Sequence, residues 1–217
     1  MLVAKGIYKY HGYFPVLRGV DLQVAPGEIV AVMGASGAGK STLLHVLATL
    51  DRPQSGTLHL YGQDVLALDA HQLAKFRNRY IGFVFQFHNL LPEFTLLENV
   101  CLPGYIGGYD KADVEVRAHT LLVLLDIAHR AHHKPGSLSG GEQQRAAVAR
   151  ALINRPHIVF ADEPSGSLDS KNATTLHNLF CKLRAELNQA FLIATHNPSL
   201  AGLADQKLLM QDGSLVA

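Results

Sequence analysis

GASGAGKS, residues 34–41, is the stretch on which the reading of this chain turns. It fits the pattern G-x-x-x-x-G-K-[S/T] in full, and both flanks supply the context the pattern requires. Upstream, Ile29, Val30, Ala31, Val32 and Met33 form an apolar run that stops at Gly34, which reads as a buried strand feeding a turn. Downstream, Leu43, Val46, Leu47 and Leu50 recur at i, i+3, i+4 and i+7, the apolar face of a helix. Strand, glycine loop and helix in that order make a phosphate cradle. Gly34, Gly37 and Gly39, spaced by Ala35, Ser36 and Ala38, let backbone N–H groups converge on a polyphosphate, and the helix start adds a partial positive charge. Lys40 supplies a mobile cation for the β- and γ-phosphates. The Ser41 hydroxyl, followed by Thr42, can ligate Mg²⁺. These residues predict a nucleotide site.

Composition sets the limits around that site. The chain has 217 residues, 48% of them hydrophobic and 17% charged, which suits one large domain, or a core with an inserted lobe, and excludes disorder. A formal charge of +1 gives no basic excess for a phosphodiester backbone, so no nucleic-acid partner is expected. Cys101 and Cys181 lie far apart and outside any metal-ligand spacing, as for thiols in a reducing compartment. The N-terminus lacks the layout of a signal peptide, and no run of about eighteen apolar residues occurs. A cytoplasmic protein is expected, able to sit on a membrane through partners.

The remaining pattern is α/β with one change of character. Strands are expected at 17–24, 28–33, 57–61 and 81–85, and helical periods begin at 96 and again at 110–127, where Asp110 is a candidate N-cap. A helical lobe over 87–150 is therefore expected as an insertion in an α/β core made of 1–86 and 151–217. The core resumes with a strand at 158–161, a helix at 171–186 and a strand at 190–195.

A phosphate loop calls for an acid at the end of a neighbouring buried strand. Asp162 and Glu163 follow the apolar run 158–161 at once, and Pro164 ends it. Asp162 is suited to holding Mg²⁺ and Glu163 to polarising the attacking water. His196 follows the apolar run 190–195; alone it would read as a structural histidine, but beside a phosphate loop and an acid pair it is aimed at the γ-phosphate. LSGGEQQR, residues 138–145, heads a helix, so Ser139, Gly140, Gly141 and Glu142 lie at a second helix N-terminus with exposed amides. That arrangement suits the γ-phosphate held by another copy, two subunits head-to-tail enclosing two ATP molecules. His129, His132 and His133 form a histidine group that no acid or thiol completes, and read as a solvated turn.

In this order, the phosphate loop, LSGGEQQR, Asp162-Glu163, the turn at 167–169 and His196 resemble the ATP-binding subunits of ABC transporters, over essentially the whole chain. The resemblance implies a P-loop NTPase core, with a mixed or parallel sheet, flanking helices and an N-terminal antiparallel β part, carrying an inserted α-helical lobe as a single nucleotide-binding domain. It implies ATP hydrolysis with Mg²⁺, a homodimer, and separate integral membrane permease subunits on the cytoplasmic face of the inner membrane. It implies that Gln86, in the loop joining core and lobe, reaches Mg²⁺ and the attacking water. An aromatic ring for adenine falls on Tyr10, with Tyr13 and Phe14 as alternatives. Ser165 and Ser167 depart from the Thr and Asn of close relatives while keeping small polar side chains.

The run FQFHNLLPEFTLLENVCLP, residues 85–103, is similar to the ATPase subunit of lipoprotein-releasing systems, whose relatives include macrolide-export and cell-division ATPases. In that reading Phe87, Leu90 and Leu91 line a groove for a coupling helix of the membrane partner. No C-terminal regulatory domain is expected after His196. The competing class is an ATP-gated regulatory ATPase of the same family with no transport role.

Overall fold

The structure, a computed structural model, describes residues 2–216. It opens with an antiparallel pair, β1 (Leu2–His11) and β2 (Phe14–Val24), followed by β3 (Ile29–Met33), the glycine loop and α1 (Lys40–Leu47). β4 (Ser55–Leu60) and β5 (Gln63–Asp64) return to the antiparallel part, and α2 (Ala70–Tyr80) leads into β6 (Ile81–Val84). Three helices follow: α3 (Leu96–Ile106), α4 (Lys111–Leu124) and α5 (Gly140–Leu152). The chain then alternates through β7 (Ile158–Asp162), α6 (Ser170–Leu187), β8 (Ala190–Ala194) and α7 (Pro198–Ala201), and closes with β9 (Gln206–Gln211) and β10 (Ser214–Val216).

Two sheets result. One is antiparallel, in the order β2-β1-β4-β5; the other has six strands in the order β10-β9-β3-β8-β7-β6. Strands β9, β3, β8, β7 and β6 run parallel, and β10 adds an antiparallel edge. The inner strands are apolar on both sides because both faces are covered. Consecutive side chains point to opposite faces, and the burial follows that alternation. Val30, Val32, Phe160, Leu192 and Ala194 join the core under α1 and the antiparallel sheet. Ile29, Val159, Ala161, Phe191 and Ile193 join a second core formed with α3 to α6.

That second core bears on the expected lobe. Helices α3, α4 and α5 pack on one another, and α5 also packs on β6 and α6. The helical segment therefore shares one apolar cluster with a sheet face instead of closing a core of its own. The expected limit at residue 150 falls inside α5, which continues to Leu152. Several elements had escaped the sequence pattern, α2 and the β9–β10 hairpin among them. In α2 only Leu73 is buried, so no apolar stripe marks it, although Asp69 and Gln72 form a full capping box. The β9–β10 hairpin turns on Asp212 and Gly213, both at positive φ (46° and 83°), and Asp-Gly is a strong hairpin signal that could have been read.

Gly82 in β6 fixes how closely α5 approaches the sheet, since a Cβ there would lie 2.6 Å from the Ala151 carbonyl oxygen. Gly82→Ala is expected to destabilise the fold by roughly 1–3 kcal/mol through that overpacking; equilibrium denaturant unfolding measures it.

Candidate active site

The parallel register brings the expected acids to the phosphate loop. Val32 of β3 pairs with Ala194 of β8, and Asp162 of β7 pairs with the same Ala194. The loop after β3 and the acids after β7 thus emerge at one edge of the sheet, at the C-terminal ends of its strands. Gly39 caps α1 in a left-handed conformation with φ 104°, which a residue with a Cβ adopts only under strain. A Cβ at Gly34 would run into the carbonyl oxygen of Met210 on β9.

Lys40 is buried, and its Nζ donates to the carbonyls of Gly34 (2.9 Å) and Ala35 (3.0 Å). It also lies 4.0 Å from Glu163 Oε1. Ser41 Oγ donates to Asp162 Oδ1 at 3.0 Å. Burial raises the Asp162 carboxyl pKa, opposed by the Ser41 hydrogen bond. Glu163 sits at φ 44° and donates its N–H to the Ala194 carbonyl at 2.9 Å. Its Oε2 is 2.9 Å from His196 Nδ1 and also accepts the His196 N–H at 3.3 Å. A cavity of about 620 Å³ opens over this cluster, lined by the loop residues with Val16, Gln86, Glu163 and His196.

Gln86, Lys40, Ser41, Glu163 and His196 therefore meet at one cavity, with Asp162 directly behind Ser41. Tyr10 is not in its lining. The β1–β2 hairpin sets Tyr10 opposite Pro15 and ties its backbone to Gln54 in both directions (3.0 and 3.1 Å), while Val16 faces the loop. Tyr13 is wholly exposed and Phe14 mostly so.

The segment after Gln86 is held by residues that the sequence pattern did not single out. Arg150, on α5, donates to the carbonyls of Asn89 (2.6 Å) and His88 (2.7 Å), two residues at positive φ (50° and 60°). Asn99 is fully buried; its Nδ2 donates to the carbonyls of Leu91, Phe94 and Thr95, and its Oδ1 accepts the Leu91 N–H. Asn and Arg at helical positions carry no periodic signal, so only the fold reveals them. A groove of about 450 Å³ lies beside this segment, with Phe83, Phe85, Asn89, Ile106 and Arg150 among its lining. Phe87, Leu90 and Leu91, expected at a partner's coupling helix, are not among its lining residues. Phe87 is 74% exposed, Leu91 is exposed, and Leu90 packs on the lobe core.

At α5, Ser139 is the N-cap and forms a full capping box with Glu142. The Glu142 carboxylate is thereby committed within the chain: Oε2 accepts the Ser139 N–H at 2.7 Å and Oε1 accepts Arg130 Nε at 2.8 Å. Ser139 and Gly140 are exposed, whereas Glu142, like Gly141, is buried. Gly141 has no room for a Cβ beside the Asn172 carboxamide. His129 has an acid after all, with Nε2 3.7 Å from Glu142 Oε1, yet the described residues contain no cluster of three metal-capable side chains.

Nucleotide-free Asp162→Asn is expected to melt above the parent at pH 7, because burial penalises the ionised carboxyl. A raised folded-state pKa removes stability as pH climbs through it. The advantage should therefore shrink as both states protonate toward the ordinary aspartate value of about 3.9. Melting curves taken downward from pH 7 check it.

Comparison with known proteins matches residues 17–166 to the ABC transporter family model. The lipoprotein-releasing system ATP-binding protein LolD of Cytophaga hutchinsonii is 55% identical over 216 residues, covering 100% of this chain and 99% of that one. The protein of the same name from Bacteroides fragilis is 49% identical, with 100% of each chain covered. Among solved structures, the dimeric post-hydrolysis state of the ATP-binding cassette MJ0796 bound to ADP and Pi superposes with a TM-score of 0.91 at 36% identity, covering 100% of this chain and 97% of that one. With a family match across most of its length and full-length relatives near half identity, this chain belongs to the ABC transporter family, as one of its ATPase subunits.

Proposed function

We propose that this chain powers a lipoprotein-releasing transporter by closing, as a head-to-tail pair, around two ATP molecules. The observation that carries this reading is the meeting of Lys40, Ser41, Gln86, Glu163 and His196 at one cavity, together with relatives of near-half identity named for lipoprotein release. The polyphosphate takes the amides of residues 34–41 and the ammonium of Lys40, which exchanges its two loop carbonyls for phosphate oxygens. Tyr10, with Tyr13 and Phe14 as alternatives on the same hairpin, offers the adenine a ring.

Ser41, Asp162 and Gln86 form a hard-oxygen donor set, and the contact between Ser41 Oγ and Asp162 Oδ1 fits a small divalent cation between them. Mg²⁺ held there would neutralise phosphate charge in the transition state. Glu163 polarises the attacking water. His196, on Glu163 Oε2, orients the carboxylate and faces the γ-phosphate. The amides of Gly140 and Gly141 and the Ser139 hydroxyl supply the second helix N-terminus, to a nucleotide bound by the other copy. Ser139 Oγ only accepts a hydrogen bond within the chain, from the Glu142 N–H at 3.3 Å, which leaves its proton for a phosphate oxygen.

No described helix is long and apolar enough to cross a membrane. Translocation then falls to separate permease subunits, with this chain peripheral on the cytoplasmic face of the inner membrane. The groove between α2, α3 and the end of α5 suits a short helix of such a partner. Arg150 belongs to that groove and holds the segment after Gln86, so a shift of the partner helix reaches the cavity directly.

Glu163→Gln is expected to lower ATP turnover by at least about 100-fold and to accumulate an ATP-loaded dimer by size-exclusion chromatography. A variant that stays monomeric with ATP, while binding nucleotide as the parent does, sinks the reading.

A further inference from the structure

Glu142 introduces an electrostatic conflict at the signature helix. It occupies the third position of α5, and its carboxylate folds back onto the N-cap amide of Ser139. A full negative charge is therefore held within one helical turn of the amides that are to meet a γ-phosphate. Burial works to raise its pKa, but the Ser139 N–H and Arg130 outweigh burial and hold it down to about 2. The charge does not titrate away at neutral pH. The inward-facing carboxylate would lie behind the amides that receive the incoming γ-phosphate, and like charges brought close together out of water repel strongly.

The chain places a cation against that charge from outside the helix. Arg130, at the end of a 3-10 turn (Ala128–Arg130), donates Nε to Glu142 Oε1 at 2.8 Å, and His129 Nε2 lies 3.7 Å from the same oxygen. The two carboxylate oxygens divide the work: Oε2 fixes the N-cap, while Oε1 is matched by a guanidinium that never loses its proton. We propose that Arg130 is a positioning residue for hydrolysis, neutralising Glu142 so that the start of α5 accepts the γ-phosphate of a nucleotide held by a second copy of this chain. This rests on the head-to-tail pairing proposed above.

Charge compensation is separable from mere bracing, because glutamine at 142 keeps the capping bond to Ser139 while losing the charge. In the full-length Glu163→Gln chain, ATP is titrated and dimer formation followed by sedimentation velocity. Arg130→Gln is expected to raise the half-maximal ATP concentration by about tenfold, a gap that narrows at high salt. Arg130→Lys should stay near the parent. Arg130→Gln with Glu142→Gln should return to within about twofold of the parent. Binding of a fluorescent nucleotide to the monomers should be equal throughout.

Parent-like dimerisation of Arg130→Gln overturns the proposal. So does failure of Glu142→Gln to rescue it, an Arg130→Lys defect as large as that of Arg130→Gln, or a loss of monomer nucleotide binding, which would put the effect in cis. If the Glu163→Gln chain itself never dimerises, the pairing fails first, a result visible before any Arg130 variant is made.

Discussion

The site depends on the in-register pairing of β3, β8 and β7. That parallel alignment ends three strands at one level, and from that level come the phosphate loop, His196 and the adjacent acids. The bond from the Glu163 N–H to the Ala194 carbonyl extends the ladder one residue past β7. Glu163 can therefore leave the strand in a left-handed conformation without losing its backbone partner. A one-residue slip would exchange the two faces of every strand. It would send Phe160 toward α5 and Val159 toward α1, so the same apolar alternation that builds both cores also aims the carboxylates.

Around this frame the charged groups satisfy one another. Lys40 is held by its own loop, Ser41 by Asp162, and Glu163 by Lys40 and His196. These contacts keep buried polar atoms paired. They also define what binding must exchange, since Lys40 has to release two carbonyls and Ser41 one carboxylate. Removing one partner alone leaves the other buried and unpaired, which costs more than the pair itself contributes.

Much of this was legible in the residues, and the reason differs from place to place. The phosphate loop could be read because its chemistry demands fixed spacing between a strand and a helix. Asp110, Ser139 and Asp162 could be read because caps and strand ends have local rules. Arg150 and Asn99 could not: Arg150 acts on carbonyls of a loop distant in sequence and Asn99 on the loop just before its own helix, and no periodicity records either. Tyr10 fell outside the cavity lining because the hairpin register, which includes irregularities in β1, decides which side chain of β2 faces the loop. The expected lobe limit at residue 150 falls inside α5, which serves two packings at once, against the helices and against β6.

The β9–β10 hairpin reaches back to the phosphate loop. The Met210 carbonyl stands against Gly34, the Met210 methyl lies near Gly39, and the Gly213 N–H donates to the Ala38 carbonyl at 3.1 Å. The phosphate loop is thus braced by a hairpin far along the chain whose own residues Met210 and Gly213 do not line the cavity. Loosening that hairpin would loosen the nucleotide cradle without changing a single residue that touches the nucleotide.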